Sequence, residues 1–392
     1  MKNFQFPCKK LPISPRNAFH IGLQPQNRVN IHASVGYSGC IMTETRKPEA
    51  VRAKLDPIAL TRQLCEIEST TYHEGKAGDF LEELLVGRGW QVEKTPVPQP
   101  NDGSTGERWN IYASLPGTTP ELTFSTHIDT VPPYIPFRED DTCLYGRGVC
   151  DAKGILAAQI AAAEELRAAG HKNIALLFVS GEERDSAGAL VANQNPRPSR
   201  YLINGEPTDN RIAIASKGAL RVSLKATGKM AHSAYPELGD SAVHKLITLL
   251  DRLLKTEWPR DEFAGDTTLN IGQIQGGYAP NVIADHAEAQ VLIRLVTDSS
   301  VIREKILQAA EGLAEVAFTL DLAFVRLKAV DGLETMVAKF ATDIPGLTHW
   351  GEPLLLGPGS IHVAHTPDEK LAKKELLEAV DLYVKMAKQL LV

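Results

Sequence analysis

Short, uninterrupted apolar runs that alternate with helical segments limit most strongly how this chain can fold. Three such runs are 121–125 (ELTFS), 174–180 (IALLFVS) and 201–204 (YLIN), and an alanine-rich helical segment, 155–169, separates the first two. Strands without polar alternation are buried on both faces, which is typical of a sheet that helices cover on either side. We therefore predict an α/β fold with an α/β/α domain built on a mixed sheet.

The pattern changes near residue 220 and changes back near residue 329. The intervening segment has the order βαββαβ, with strands at 221–227, 267–275, 288–297 and 317–326 and helices at 241–255 and 299–316. That order is typical of a ferredoxin-like α+β unit. We predict that residues 51–218 and 329–392 form the first domain and that residues 219–328 are inserted into it. The returning segment is predicted to hold a strand at 352–356 and a helix from Pro367 onward.

The first forty-three residues contain no Asp or Glu. We predict that residues 1–50 form a disordered extension, with organelle import and a start at Met42 as the alternatives.

The 392-residue chain has a net charge of -6, which argues against a nucleic-acid binder. No apolar run approaches the ~18 residues of a membrane span. Five scattered cysteines without a CxxC pair indicate free thiols, so we expect a cytoplasmic protein.

Acidic residues and one histidine follow the apolar runs of the first domain. These candidate site residues are His127, Asp129, Asp151, Glu182, Glu183 and Glu206. In open α/β sheets the ligand crevice lies outside the carboxyl ends of the strands, so we expect these side chains to converge there. Carboxylates held close together repel one another and need protons or a cation. Imidazole and carboxylate donors without thiolate favour zinc, cobalt or manganese.

Two local patterns suggest how such a site would work. In His127-x-Asp129 the carboxylate is placed to accept the second ring N–H of a metal-bound imidazole, which fixes its tautomer. The adjacent Glu182 and Glu183 can divide two tasks, because one can bind metal while its neighbour faces the attacking water.

Seven motifs follow one another between residues 125 and 369, and the resemblance that they carry extends from about residue 55 to the C terminus: STHIDTVPP, GRGVCDAKG, SGEERDSAGA, NGEPT, GKMAHSAYP, GGYAPNVI and GPGSIHVAHTPDE. In this order they resemble the co-catalytic zinc aminoacylase and exopeptidase family of acetylornithine deacetylase and succinyl-diaminopimelate desuccinylase. The resemblance implies hydrolysis of an amide bond with two divalent metal ions, zinc or, as the alternative, cobalt. It also implies that the inserted domain is a lid and dimerisation domain, so we expect a homodimer.

The resemblance further implies a role for each site residue. His127 and Glu206 would bind one ion, Glu183 and His365 the other, and Asp151, followed by a cis peptide, would bridge them. Glu182 would be the general base that activates a water between the ions. His365 is preferred over His362 because it directly precedes the TPDE segment, whose Asp368 and Glu369 are interpreted as acids of a first helical turn.

In the inserted domain, His232 resembles the histidine that reaches the partner subunit's site and stabilises the oxyanion. Asn281 and Arg294 resemble the residues that hold the substrate's α-carboxylate, whereas His244 and His286 are interpreted as surface residues. The family's loop with Ser-Asp-Ala-Arg is not evident in this sequence. The segment FATDIPG lies near the position where that loop is expected, so Asp343 is the candidate to take over part of its role.

The expected function is hydrolysis of a small N-acyl amino acid, with acetylornithine as the first candidate substrate. A dipeptidase or carboxypeptidase of the same family is the alternative, and a non-catalytic binding protein is the alternative of a different class. A serine hydrolase, a P-loop nucleotide enzyme and an HExxH protease are disfavoured because GxSxG, GxxxxGK[ST] and HExxH are absent from the sequence.

Overall fold

The computed structural model describes residues 53–101 and 103–391, and the structural statements that follow refer to these residues. The extension predicted for residues 1–50 lies outside them. The described chain forms seven α-helices: α1 (Pro57–Cys65), α2 (Gly75–Gly87), α3 (Lys153–Ala168), α4 (Ala187–Gln194), α5 (Ala242–Lys255), α6 (Ser299–Ala310) and α7 (Lys373–Leu390). None of these helices is both long and apolar enough to cross a membrane.

The strands fall into three successive groups along the chain. The first is β1 (Gln91–Pro96), β2 (Trp109–Ser114), β3 (Leu122–His127), β4 (Arg138–Glu139), β5 (Cys143–Tyr145), β6 (Ile174–Val179), β7 (Tyr201–Asn204) and β8 (Ile212–Ser216). The second is β9 (Gly218–Thr227), β10 (Ala231–His232), β11 (Arg260–Asp261), β12 (Gly265–Asp266), β13 (Thr268–Gly276), β14 (Val282–Ile283), β15 (His286–Leu295), β16 (Glu315–Leu322) and β17 (Val325–Arg326). The third is β18 (Thr335–Ala338), β19 (Glu352–Leu355) and β20 (Lys370–Ala372).

The central sheet has six strands in the order β1-β2-β6-β3-β7-β19. Strands β6, β3, β7 and β19 run parallel, and β1 and β2 are antiparallel additions at one edge. Residues of β3 and β6 are buried throughout, because α1, α2, α3 and α7 cover one face and α4 covers the other. The predicted mixed-sheet α/β/α architecture is confirmed.

The inserted unit is a four-stranded antiparallel sheet in the order β13-β15-β9-β16 with α5 and α6 on one face. Strand β9 alternates buried and exposed residues over its second half because only one face is covered by helices. Helix α5 begins where the Ser241 hydroxyl accepts the His244 N–H, a standard N-cap. The βαββαβ order is the ferredoxin-like arrangement predicted from the sequence.

Three predicted elements differ from the structure. The strand expected over 317–326 is divided, because β16 ends at Leu322 and β17 pairs with β8 in another sheet. The helix expected over 299–316 ends at Ala310, because Gly312 adopts a positive φ of 69° and strand β16 begins at Glu315. The helix expected from Pro367 onward begins at Lys373, because residues 370–372 form β20 and pair with β5 instead.

Candidate metal centre

The parallel strands of the central sheet carry the site residues at one edge. His127 is the last residue of β3, Glu182 and Glu183 lie in the turn after β6, and Glu206 follows β7 by two residues. Asp151 directly precedes the first turn of α3. Because the carboxyl ends of β3, β6 and β7 meet at the same edge, these side chains converge there as expected.

The carboxylate of Asp151 lies between two imidazoles. Its Oδ1 is 2.9 Å from His127 Nε2, and its Oδ2 is 3.3 Å from His365 Nε2. His365 Nε2 also lies 2.9–3.0 Å from both carboxylate oxygens of Glu183. Potential ligand atoms of His127, Asp151 and Glu183 all lie within 4.8 Å of one another. The peptide bond between Asp151 and Ala152 is cis.

The structure brings His365 and not His362 to this cluster. The His365 side chain lies against Asp151 and Glu183, and its backbone has a positive φ of 63°. His362 is an exposed residue of the same loop.

The pKa values of the cluster show mutual repulsion among its acids. Burial raises the pKa of Glu182 and of Glu206 well above the usual range, and the neighbouring carboxylates raise them further. Burial and Asp151 raise the pKa of Glu183. Hydrogen bonds to Asp151 and Glu183 raise the pKa of His365 to about 10. The cluster therefore holds protons that a cation would replace.

This donor set fits divalent cations. Three carboxylates and two imidazoles converge, and Asp151 presents one oxygen to each imidazole, the arrangement that a carboxylate bridging two ions requires. Neutral imidazole with carboxylate and no thiolate suits zinc and similar first-row ions.

Asp129 positions the turn that carries Glu182 and Glu183. Its carboxylate accepts the backbone N–H groups of Gly181, Glu182 and Glu183 at 2.9–3.2 Å and the Thr71 hydroxyl at 2.8 Å. The Nδ1 of His127 lies closer to the Asp129 main-chain carbonyl, at 2.9 Å, than to its carboxylate, at 3.5 Å. The role expected for the Asp129 carboxylate on His127 thus falls chiefly to its carbonyl.

A second buried contact, which the sequence did not reveal, holds the same turn. Arg108 donates to both carboxylate oxygens of Asp185 at 2.9 and 3.2 Å, and its Nε lies 3.4 Å from Glu74. A β-carbon at Gly181 would meet the Arg108 guanidinium at 1.9 Å. The guanidinium therefore packs directly beneath the turn, where only glycine fits.

Replacing Glu74 should make stability less dependent on pH. Burial and Asp129 raise the Glu74 pKa to about 7, so between pH 4.5 and 7 the folded state binds more protons than the unfolded state. Stability then falls as pH rises, by about 3 kcal/mol in total. In Glu74→Gln this loss is absent. From pH 5 to pH 8.5 the wild-type free energy of unfolding should therefore drop by about 2.5 kcal/mol relative to the variant, because part of the loss already occurs below pH 5.

Urea unfolding at the two pH values measures this difference. Glu83→Gln, at an exposed position of α2, is the matched control and should follow the wild type. If the difference in the free energy of unfolding between wild type and Glu74→Gln is the same at both pH values, the raised pKa assigned to Glu74 is contradicted.

Neither Asp368 nor Glu369 lies in a first helical turn, contrary to the sequence-based interpretation, and Glu369 has a different role. It is 1% exposed rather than an acid of a first helical turn, because the helix begins only at Lys373. Its Oε1 accepts the backbone N–H groups of Gly148, Cys150 and Asp151 at 2.9–3.2 Å, and its Oε2 accepts from Arg147 at 2.6 Å. Glu369 thereby fixes the loop that presents Asp151.

Glu369→Gln should lower the free energy of unfolding by about 3 kcal/mol, because it leaves the Arg147 guanidinium buried without a counter-charge. It should also weaken metal affinity about 10- to 100-fold, the usual effect of removing a group that orients a ligand. Urea unfolding and metal titration measure the two effects. Asp368→Asn, next to it but exposed, should change neither, and equal behaviour of the two variants would refute the role given to Glu369.

The cluster opens into a cleft of about 280 Å³ between the central sheet and the inserted unit. Asp151, Glu182, Glu183, Glu206 and His365 line one side, and residues of β9, β15 and β16, among them Arg294, line the other. Phe340 and Ala341, from the segment that contains Asp343, also contribute.

Asp343 itself is buried and does not line the cleft. Burial raises its pKa to about 7, and the charge of His127 and a hydrogen bond with Ser186 oppose that shift.

His232 and Asn281 do not line the cleft of their own chain. Both are exposed, and they lie together where β10 pairs with β14 and where the Ser233 N–H bonds the Asn281 carbonyl at 3.0 Å. His244 and His286 are exposed, as predicted.

Comparison with known proteins agrees with this geometry. A profile described as peptidase family M20/M25/M40 matches residues 123–389. A probable carboxypeptidase of Ajellomyces dermatitidis is 36% identical over 371 residues, which cover 84% of this chain and 86% of the relative.

Two solved structures share the fold. The aminopeptidase PepT of Bacillus cereus has a TM-score of 0.70 at 21% identity and covers 87% of this chain and 100% of its own. A dinuclear metal-binding peptidase of the M20 family from Bacillus subtilis has a TM-score of 0.61 at 17% identity, covering 85% and 98%. The chain described here belongs to peptidase family M20/M25/M40 and is a metallohydrolase.

Proposed function

We propose that this protein hydrolyses the amide bond of a small N-acyl amino acid with a free α-carboxylate, in the manner of an acetylornithine deacetylase. The observation that carries the proposal is the position of Glu182. Its carboxylate lines the cleft beside the His127, Asp151 and His365 cluster, and Arg294 lines the opposite wall. A general base, a metal-binding cluster and a carboxylate-binding group thus surround one space.

Two divalent cations, zinc or alternatively cobalt, would be held by residues that already converge. His127 and Glu206 would bind one, Glu183 and His365 the other, and Asp151 both. When bound, such ions act as Lewis acids on the scissile carbonyl and lower the pKa of water.

The protein's own groups supply the proton transfers. Glu182 accepts a proton from the attacking water and delivers it to the nitrogen of the leaving amine. Burial and the nearby Glu206 raise the Glu182 pKa well above the ordinary value, which makes this carboxyl group a better proton acceptor and donor near neutrality. The contacts of Asp129 with the backbone of the turn keep Glu182 in place.

Arg294 would bind the α-carboxylate of the amino acid. It is half-buried, and a guanidinium can hold a carboxylate through two parallel hydrogen bonds. Arg294→Gln should lower kcat/KM about 30- to 100-fold for N-acetyl amino acids but much less for their α-carboxamides. Equal losses for the acids and the amides would contradict this role.

An amine-release assay on zinc- or cobalt-loaded protein tests the function itself. The substrates are N-acetyl, N-succinyl and N-formyl amino acids, acetylornithine included, together with simple dipeptides. Turnover of N-acyl amino acids supports deacylation. Turnover of dipeptides alone supports the carboxypeptidase or dipeptidase alternative, in line with the name of the fungal relative. Release of amine from none of them would refute the proposal.

We further propose a homodimer, on the basis of two exposed residues of the inserted unit. His232 and Asn281 are exposed and lie away from the cleft of their own chain, beside the exposed Tyr235 and Leu238. We infer that both residues complete the site of a partner copy, where His232 stabilises the oxyanion. A fully active monomer in light-scattering measurements would contradict this arrangement.

A further inference from the structure

The arginines of the described chain divide into two groups by their side-chain contacts. Nearly all of them bond an acid or a carbonyl or stack on a ring. Three have no ion pair, hydrogen bond or ring contact through their guanidinium group with any described residue, although the charge of Glu182 acts on Arg294: Arg184, Arg221 and Arg294. All three line the cleft above the metal-binding cluster.

Two of these arginines stand on one face of the inserted sheet. In the pairing of β9 with β15, Arg294 lies opposite Ala219, and Arg221 lies opposite Leu292. Residues 219 and 221 share a face because side chains alternate along a strand. Arg221 and Arg294 are therefore diagonal neighbours, about 7–8 Å apart at the backbone, and their long side chains can bind two ends of one small ligand.

The surroundings of Arg221 are apolar. The other residues that this sheet contributes to the cleft are Ala219, Leu292, Leu320 and Leu322. Arg221 itself is exposed, so its guanidinium is accessible to a ligand that enters the cleft, and no acid of the described chain pairs with it. Arg184 projects from the opposite side, in the turn that carries Glu182.

The net charge of the cleft also favours a ligand with more than one negative charge. Its acidic lining residues are Asp151, Glu182, Glu183 and Glu206, and two divalent cations would balance these four carboxylates. The three guanidinium groups then remain in excess. One α-carboxylate bound to Arg294 leaves Arg221 and Arg184 without an anion.

We infer that Arg221, together with Arg184, forms a second anion-binding subsite, and that the substrate is a dicarboxylate. The second carboxylate belongs either to the side chain of the released amino acid or to a dicarboxylic acyl group. The substrate class rests on the proposed amide hydrolysis, whereas the anion-binding subsite is tested independently by binding.

Two matched substrate pairs distinguish the two sources. N-acetylglutamate and N-acetylglutamine differ by one charge on the amino acid, and N-succinylalanine and N-succinamoylalanine differ by one charge on the acyl group. In one of the two pairs, zinc-loaded protein should hydrolyse the member with two carboxylates with a kcat/KM about tenfold or more above that of its amide counterpart. The pair that shows this preference identifies the source of the second carboxylate. Arg221→Gln should bring that ratio close to one. Lys225→Gln, at an exposed position of the same strand outside the cleft, should preserve it.

Binding provides a readout that does not depend on turnover. Calorimetry on the zinc-loaded protein should show that glutarate binds about tenfold or more tightly than its half-amide, glutaramate, and that Arg221→Gln removes this difference. If none of the four amides is hydrolysed but glutarate binds in this way, the proposed function fails and the subsite stands. Turnover within twofold in both pairs, with equal binding of glutarate and glutaramate, would overturn the subsite while leaving the function intact.

Discussion

Glu182→Gln should lower kcat by about 10³-fold or more while both metal ions remain bound. The amide keeps the size and shape of the side chain but accepts no proton from the attacking water. Asp129 holds the turn through the backbone N–H of residue 182, so the side-chain change leaves that contact in place. The loss should therefore appear in turnover and not in metal content.

The metal content of Glu182→Gln serves as its internal control. Elemental analysis should find the same number of ions per chain as in the wild type, and thermal unfolding should remain cooperative. Activity within tenfold of the wild type would contradict the role of Glu182 as the base. A loss of metal together with activity would instead make Glu182 a ligand.

His365→Ala should remove one of two ions and lower kcat by about 10²–10³-fold, since one Lewis acid contributes several kcal/mol to the transition state. The His365 side chain is 49% exposed, so its truncation leaves no large cavity in the core. Its Nε2 contacts the carboxylates of Asp151 and Glu183, which are the contacts that the substitution removes.

His362→Ala is the matched control for this change. It removes an exposed imidazole from the same loop, three residues away, and should leave metal content and kcat at wild-type values. The reverse result, with His362→Ala losing metal and His365→Ala retaining it, would show that the wrong histidine of the loop has been assigned.

The fold and the convergence of the candidate metal ligands were largely predictable because local patterns specify them. The continuous apolar runs of β3, β6 and β7 required a sheet covered on both faces, and polar residues directly after them had to meet at one edge. The first and last residues of helices and strands were predicted less well where pairing with a segment distant in sequence determines them. Helix α7 begins at Lys373 because β20 pairs with β5, more than two hundred residues away.

The groups that support the cluster were missed for the same reason. The sequence placed Glu369 in the first turn of a helix expected from Pro367 onward, where an acid is favoured by the helix dipole. Its actual partners are backbone groups at residues 148–151. Arg108 and Asp185 are likewise 77 residues apart, and the sequence gives no signal that joins them.

The lack of contacts at Arg184 and Arg221 was also invisible to sequence reasoning. A charged residue on a strand is usually solvated, and only the folded structure shows which guanidinium groups find a partner. The roles given to His232 and Asn281 depend on a second copy of the chain and remain predictions.

Metal titration of activity tests the central claim most directly. Protein stripped with a chelator is titrated with zinc or cobalt, and amine release from the best N-acyl amino acid or dipeptide is measured against bound ion. The account predicts no turnover without metal, full turnover at two ions per chain, and no recovery in Glu182→Gln. Undiminished hydrolysis by fully stripped protein would contradict the assignment of this cluster as a metal centre that drives amide hydrolysis.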